Sequence, residues 1–144
     1  MYKLVITLLL ASSGTAHAFC FKEASQRYGV SEAVLMAIAK TESGFNSRAT
    51  NVNKNGTKDI GLMQINSAHL ETLAKYNITE QVLYDNPCAN VNVGAWILAK
   101  SIAHHGNNWR AVGSYNTGIK GAESKRAIYA NKVEKNLKKI THGN

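Results

Sequence analysis

Glu42 is the side chain in this sequence best placed for acid–base chemistry. Val34, Ile38 and Glu42 recur at intervals of four, so on a helix they share one face. The first two belong in an apolar core, and the stripe they define carries the carboxyl group toward a partly buried position. Burial disfavours the charged form, and the C-terminal end of a helix is the wrong end of the dipole for an anion. Both effects raise the pKa toward the range in which a carboxylic acid can give up a proton near neutrality. Spacing alone also permits a solvent-facing rim position with no role. Ser43 has a hydroxyl able to bond the acid, although serine is commonplace near helix ends.

Two further clusters carry polar groups next to apolar ones. In Gly61-Leu62-Met63-Gln64, a short turn would set Gln64 opposite Glu42 while Leu62 or Met63 packs inward. Ser114-Tyr115-Asn116, just before Thr117-Gly118, puts an amphipathic ring and an amide at a helix end. Such groups suit sugars and N-acetyl substituents, but they also simply terminate helices. A second carboxyl group is harder to find. Asp59 is nearest to the turn and reads as a turn acid beside Lys58, while Asp85 reads as part of a helix cap.

Metal chemistry finds little support. His104 and His105 are adjacent on a helix and point in different directions, and neither cysteine has ligand spacing to another. Asn53-Lys54-Asn55-Gly56 with Asp59 lacks the spacing and terminal glutamate of a calcium loop. No metal and no cofactor is expected. Trp96 and Trp109 read as core residues rather than sugar platforms.

These residues must be held by helices. The patterns predict a first helix over 20–28 ended by Gly29, and a second capped by Ser31 and stopped by Gly44. Asn55-Gly56 signals a turn in at most a minor hairpin. Short helices follow Ser67 and Thr79. The longest starts at Asn86-Pro87 and stops at Gly106, and others cover 109–115 and 122–137. The expectation is a mainly α single domain of about seven helices, with no strand–crossover–strand pattern for a nucleotide fold.

The chain has 144 residues and a formal net charge of +8, which fits one domain and favours anionic partners. Met1-Tyr2-Lys3, the apolar run from Leu4 and Ala16-His17-Ala18 form the order of a secretory signal peptide over 1–18. That run is too short for a membrane span, and no stable span is expected after cleavage. Export leaves 19–144 as the working domain and argues against nucleic acid as partner. It makes pairing of Cys20 with Cys88 the economical reading, two unpaired buried thiols being the other. Lys132, Lys135, Lys138 and Lys139 cluster late in the chain, where 134–144 is a basic tail; they read as solvated, with attraction to peptidoglycan carboxylates or a secretion subunit as the other reading.

Taken in order, the motifs resemble those of the soluble lytic transglycosylase (SLT) catalytic domain, which has the lysozyme-like fold of goose-type lysozymes. Glu42-Ser43 looks like its catalytic pair, Gly61-Leu62-Met63-Gln64 its second motif and Tyr115-Asn116 its third, and Tyr129 is similar to its late tyrosine. Ser114 stands where many relatives carry alanine. The resemblance covers about 20–133, and the cysteine pair looks like that of the small single-domain members that accompany conjugation, type IV pilus and type III or IV secretion machinery.

The resemblance implies a periplasmic, monomeric enzyme acting on peptidoglycan. It would cut between N-acetylmuramic acid and N-acetylglucosamine and leave 1,6-anhydromuramoyl ends. Glu42 would serve as acid and then base. Ser43 would orient it, Met63 would form an apolar wall, Gln64, Tyr115 and Asn116 would position the sugars, and Tyr129 would hold the acid. A secretion, conjugation or pilus apparatus is the implied partner. A hydrolytic muramidase of the same fold and a non-catalytic peptidoglycan-binding assembly factor are the competing readings.

Overall fold

The computed structural model describes residues 19–143, so the expected signal peptide at 1–18 lies outside the described residues. Seven α-helices and a small antiparallel sheet make up the described fold. Helix α1 covers Phe21–Tyr28 and α2 Glu32–Ser43. Ser31 caps α2 by accepting the Val34 N–H at 3.3 Å, and Gly44 ends it with a φ of 60°. Disulfide-bonded Cys20 and Cys88 tie the start of α1 to the first turn of α5, Pro87–His105, closing a separation of 68 residues. Asn86 caps α5 and proline occupies its first turn, where a missing N–H costs nothing.

Between α2 and α5 lie the strands β1 (Thr50–Val52), β2 (Lys58–Ile60) and β3 (Ile65–Asn66), in that order and antiparallel. The sheet thus has one strand more than the expected hairpin. The Asn55-Gly56 turn joins the first pair, with Asn53 N–H donating to Thr57 O at 2.8 Å. The segment from Gly61 to Gln64 then turns the chain into β3, and short helices α3 (Leu70–Ala74) and α4 (Glu80–Asp85) lead to α5.

Helix α5 is the centre of the core, burying Val91, Val93, Ala95 and Leu98 among side chains from α1, α2 and the sheet. Helix α6, Trp109–Thr117, packs on α5, and α7, Glu123–His142, packs on both α6 and α2. The expected end of the last helix at 137 and the solvated tail beyond it are corrected: α7 runs to His142. Leu137 and Ile140 pack against the core, and Asn136 Nδ2 donates to Thr41 Oγ1 at 2.9 Å. The lysines around them stay on the solvent side of an amphipathic helix. Trp96 packs against the core as expected, but Trp109 is 39% exposed and belongs neither to the core nor to the cleft described below.

Candidate active site

Glu42 ends the apolar stripe of α2 and reaches a cleft of about 1060 Å³ bounded by the sheet, α5, α6 and the turn after α6. Ile38, one turn earlier, is fully buried. The carboxyl group is partly buried, and its pKa is raised from 4.5 to about 7, with burial the largest cause. The hydrogen bond from Tyr129 and the charge of Lys132 pull it down, and the charge of Asp59 pushes it further up. Tyr129, on α7 and 7% exposed, donates from its hydroxyl to Glu42 Oε1 at 2.5 Å. Burial, followed by the nearby Glu42, holds the Tyr129 phenol well above its ordinary pKa, so it stays a donor.

The second motif is fastened from three sides. Gly61 has a φ of 73°, and a Cβ there would lie 2.5 Å from Asn90 Nδ2, so only glycine fits the turn. Asn90 of α5 is fully buried, accepts the Met63 N–H at 2.8 Å and donates to Ile60 O and Leu83 O. Tyr115 of α6 donates to Met63 O at 2.8 Å. Ser43 donates to Leu62 O at 2.6 Å and sits 3.2 Å from Ala39 O. Its hydroxyl therefore joins α2 to the turn rather than bonding the Glu42 carboxyl group.

Met63 departs from the expected apolar wall. Its side chain is fully buried against Gly94 and gives the cleft no surface; the Met63 backbone is what the site uses. Gln64 does line the cleft, in a left-handed conformation with φ 53°. Its amide nitrogen lies within 3.4 Å of Ala49 O, Asp59 O and Gly61 O, which leaves the amide oxygen for other partners. Tyr115 and Asn116 also line the cleft. Glu42, Gln64, Tyr115 and Asn116 thus meet in one place, with Tyr129 behind the acid.

Asp59 is more than a turn acid. Lys58 turns away to pair with Glu80, while Asp59 faces the same cleft as Glu42. Asn51 and Asn53 donate to its Oδ2 at 3.2 and 3.1 Å, and Asn66 to its Oδ1 at 2.9 Å. Asn51 and Asn66 are its direct cross-strand partners on either side. Polar side chains aimed at both oxygens hold the carboxylate in a fixed orientation.

Arg126 was also missed as anything beyond one of many basic residues. It is 3% exposed, and its guanidinium donates to Ile119 O and Gly121 O, both at 3.0 Å, and to Glu123. A Cβ on Gly113 would lie 2.3 Å from Arg126 Cγ, so α6 can approach this arginine only through glycine. The turn it clamps supplies Gly118, Ile119, Lys120 and Gly121 to the cleft. Among the described residues, no group of three or more His, Cys, Asp or Glu side chains gathers to hold a metal ion.

An acid held from behind by a tyrosine, under a turn fixed by an asparagine and a second tyrosine, can be set against known proteins. Residues 19–138 match the family described as "Transglycosylase SLT domain". The chain belongs to this family. "Invasion protein IagB" of Salmonella typhimurium is 39% identical over 140 residues, covering 96% of this chain and 88% of the relative. "Protein IpgF" of Shigella flexneri is 37% identical over 141 residues, 97% of this chain and 93% of the relative. A "Peptidoglycan-binding-like protein" of Escherichia coli O157:H7 is 35% identical over 136 residues, 89% and 81% of the two chains. Among solved structures, an inactive mutant of lytic transglycosylase Slt from Pseudomonas aeruginosa superposes with a TM-score of 0.64 at 23% identity. That match covers 85% of this chain and 23% of the larger one, and it concerns the fold. The helical SLT, lysozyme-like architecture expected from the motifs is the one observed.

Proposed function

We propose that this SLT-domain protein cuts peptidoglycan glycan strands at the β-1,4 bond between N-acetylmuramic acid and N-acetylglucosamine, with Glu42 as the proton donor. The observation that carries this reading is the Glu42 carboxyl group at the cleft, with its pKa raised to about 7 and Tyr129 bonded to Oε1. At neutral pH a large share of such a group is protonated and ready to protonate the glycosidic oxygen. Gln64, Tyr115 and Asn116 then position the sugar ring and its acetamido group, while Ser43 and the Met63 backbone fix the turn that carries Gln64.

By the family's route, Glu42 next removes the proton of the muramoyl C6 hydroxyl as that oxygen attacks C1. The glycosidic bond breaks, a 1,6-anhydro bridge forms, and no water is added. The substrate's own acetamido oxygen stabilises the cationic centre, so no enzyme nucleophile is needed.

A second reading, hydrolysis by a muramidase, gains support from Asp59. A carboxylate fixed by three asparagines and facing Glu42's cleft is the second acid that water-using chemistry requires, either to stabilise the cation or to activate water. The name of the Escherichia coli relative speaks for a third role, wall binding without cleavage. The presence of Glu42 with its supporting tyrosine argues against that role in this chain.

Digestion of purified peptidoglycan, with mass analysis of the released ends, separates the three. Anhydro ends establish the transglycosylase, hydrated reducing ends the muramidase. No release by the unmodified protein, with binding retained, establishes the binding module. The expected result is release that is lost on Glu42→Gln substitution. The setting is the periplasm, to which the leader-like 1–18 directs it. Its role there is local wall opening for an export apparatus, a reading with which the name of the Salmonella relative, an invasion protein, is compatible.

A further inference from the structure

A second depression of about 350 Å³ adjoins the cleft and shares Glu42 and Asn116 with it. Its remaining wall is largely one face of α7, where Lys125, Ile128 and Lys132 stand at the i, i+3 and i+7 positions. Among the described residues neither lysine has a carboxylate within ion-pair distance, whereas Lys58 and Lys138 do. Ile128 is 58% exposed between them. Two ammonium groups without an ion-pair partner, Lys132 acting on Glu42 only through its field, stand beside an exposed isoleucine and match an acidic ligand rather than a neutral sugar.

We propose that this depression binds the acidic stem peptide carried by the glycan strand, its carboxylates on Lys125 and Lys132 and an alanine methyl on Ile128. The inference rests on the wall-strand reading above and deepens it. A saccharide seated at Asn116 and Glu42 puts its lactyl-linked peptide within reach of the α7 face, because the two depressions meet at those residues. Charge and apolar surface then match the peptide, which alternates free carboxylates with small side chains. The protein thereby favours peptide-bearing strands over stripped or neutral glycan, and its positive charge acquires a local use.

The test is equilibrium binding to the Glu42→Gln protein, which holds substrate without turnover. One ligand is a soluble peptidoglycan fragment with intact stem peptides; the other is the same fragment after its carboxylates have been converted to amides. The acidic fragment is expected to bind about tenfold more tightly at low salt, with the advantage shrinking as salt rises. Adding Lys125→Gln and Lys132→Gln should weaken the acidic fragment about tenfold and the amidated one less than twofold. Equal affinity for the two fragments, or discrimination that survives the double substitution, overturns the proposal. Since binding is read without cleavage, this outcome is separable from the failure of the unmodified protein to cut purified wall. Both lysines are exposed, so a folding defect does not stand between the substitution and its readout.

Discussion

Tyr129 and Glu42, 87 residues apart, meet through a hydrogen bond from the phenol to Oε1, so α7 helps to orient an acid that α2 carries. A donor to a carboxylate stabilises its charged form, and here it works against burial; with both effects acting, the pKa stands at about 7.

Removing that donor has a definite sign. In Tyr129→Phe the Glu42 pKa should climb further, moving the descending limb of the pH–rate profile to higher pH. The rate at pH 5, where the acid is protonated in both proteins, should fall about tenfold from lost positioning. A profile measured on purified wall from pH 4 to 9 checks this. An unmoved or downward-shifted limb would mean that the bond does not govern the ionisation of Glu42.

Glu42 itself should cost stability. Its folded pKa of about 7 lies above the ordinary 4.5, so the native state holds more protons than the unfolded state between those values. Stability falls as pH rises through that window, and the penalty is complete above pH 7. Glu42→Gln, which can still accept from Tyr129, should match the unmodified protein at pH 4 and exceed it by about 1–3 kcal/mol at pH 8. Thermal melts at the two pH values measure the gap. A gap of the same size at both would assign it to something other than ionisation.

The parts of this site that were legible in the sequence are those with local causes. Ser31, Gly44, Asn86-Pro87 and Gly106 mark helix ends through backbone chemistry that acts within a few residues, and the structure uses each of them. The Val34-Ile38-Glu42 stripe foretold a partly buried acid for the same reason. Asp59 reads as a turn acid because two of the three asparagines that hold it, Asn51 and Asn66, reach it only through sheet register. The apolar wall assigned to Met63 comes from the resemblance, whereas the residues themselves predict that Leu62 or Met63 packs inward; both are buried, and the turn engages the Met63 N–H and carbonyl. The end of α7 was hidden by Lys135, Lys138 and Lys139, which outnumber the Leu137 and Ile140 that dock it. The pairing of Tyr129 with Glu42 came from family resemblance, not from any pattern within α7.

Arg126 should act on substrate affinity from a distance. Arg126→Met keeps the aliphatic stem but frees the carbonyls of Ile119 and Gly121, loosening the turn that edges the cleft. KM for soluble glycan fragments is expected to rise about tenfold while kcat changes less than threefold, since Glu42 and Tyr129 do not depend on this turn. Arg126→Lys, which restores a donor, should recover part of the loss. Equal losses in KM and kcat, with no rescue by lysine, would reduce Arg126 to general stability.

Asn90 makes the sharpest prediction about stability. Its side chain is fully buried and uses both ends of the amide: the oxygen receives the Met63 N–H, and the nitrogen serves Ile60 O and Leu83 O. Asn90→Leu has nearly the same volume but strands one donor and two acceptors away from water. Each buried group left without a partner costs about 1–3 kcal/mol, so a loss of at least about 3 kcal/mol is expected in urea unfolding. Asn90→Asp should fare no better, because it retains the acceptor for Met63 but sets a carboxylate against two carbonyl oxygens. The damage should extend to activity in whatever protein remains folded, since the freed turn carries Gln64 and the carbonyl that Tyr115 grips. A loss below about 1 kcal/mol in the leucine variant would show that the turn is held mainly by Ser43 and Tyr115 and that the buried amide is dispensable.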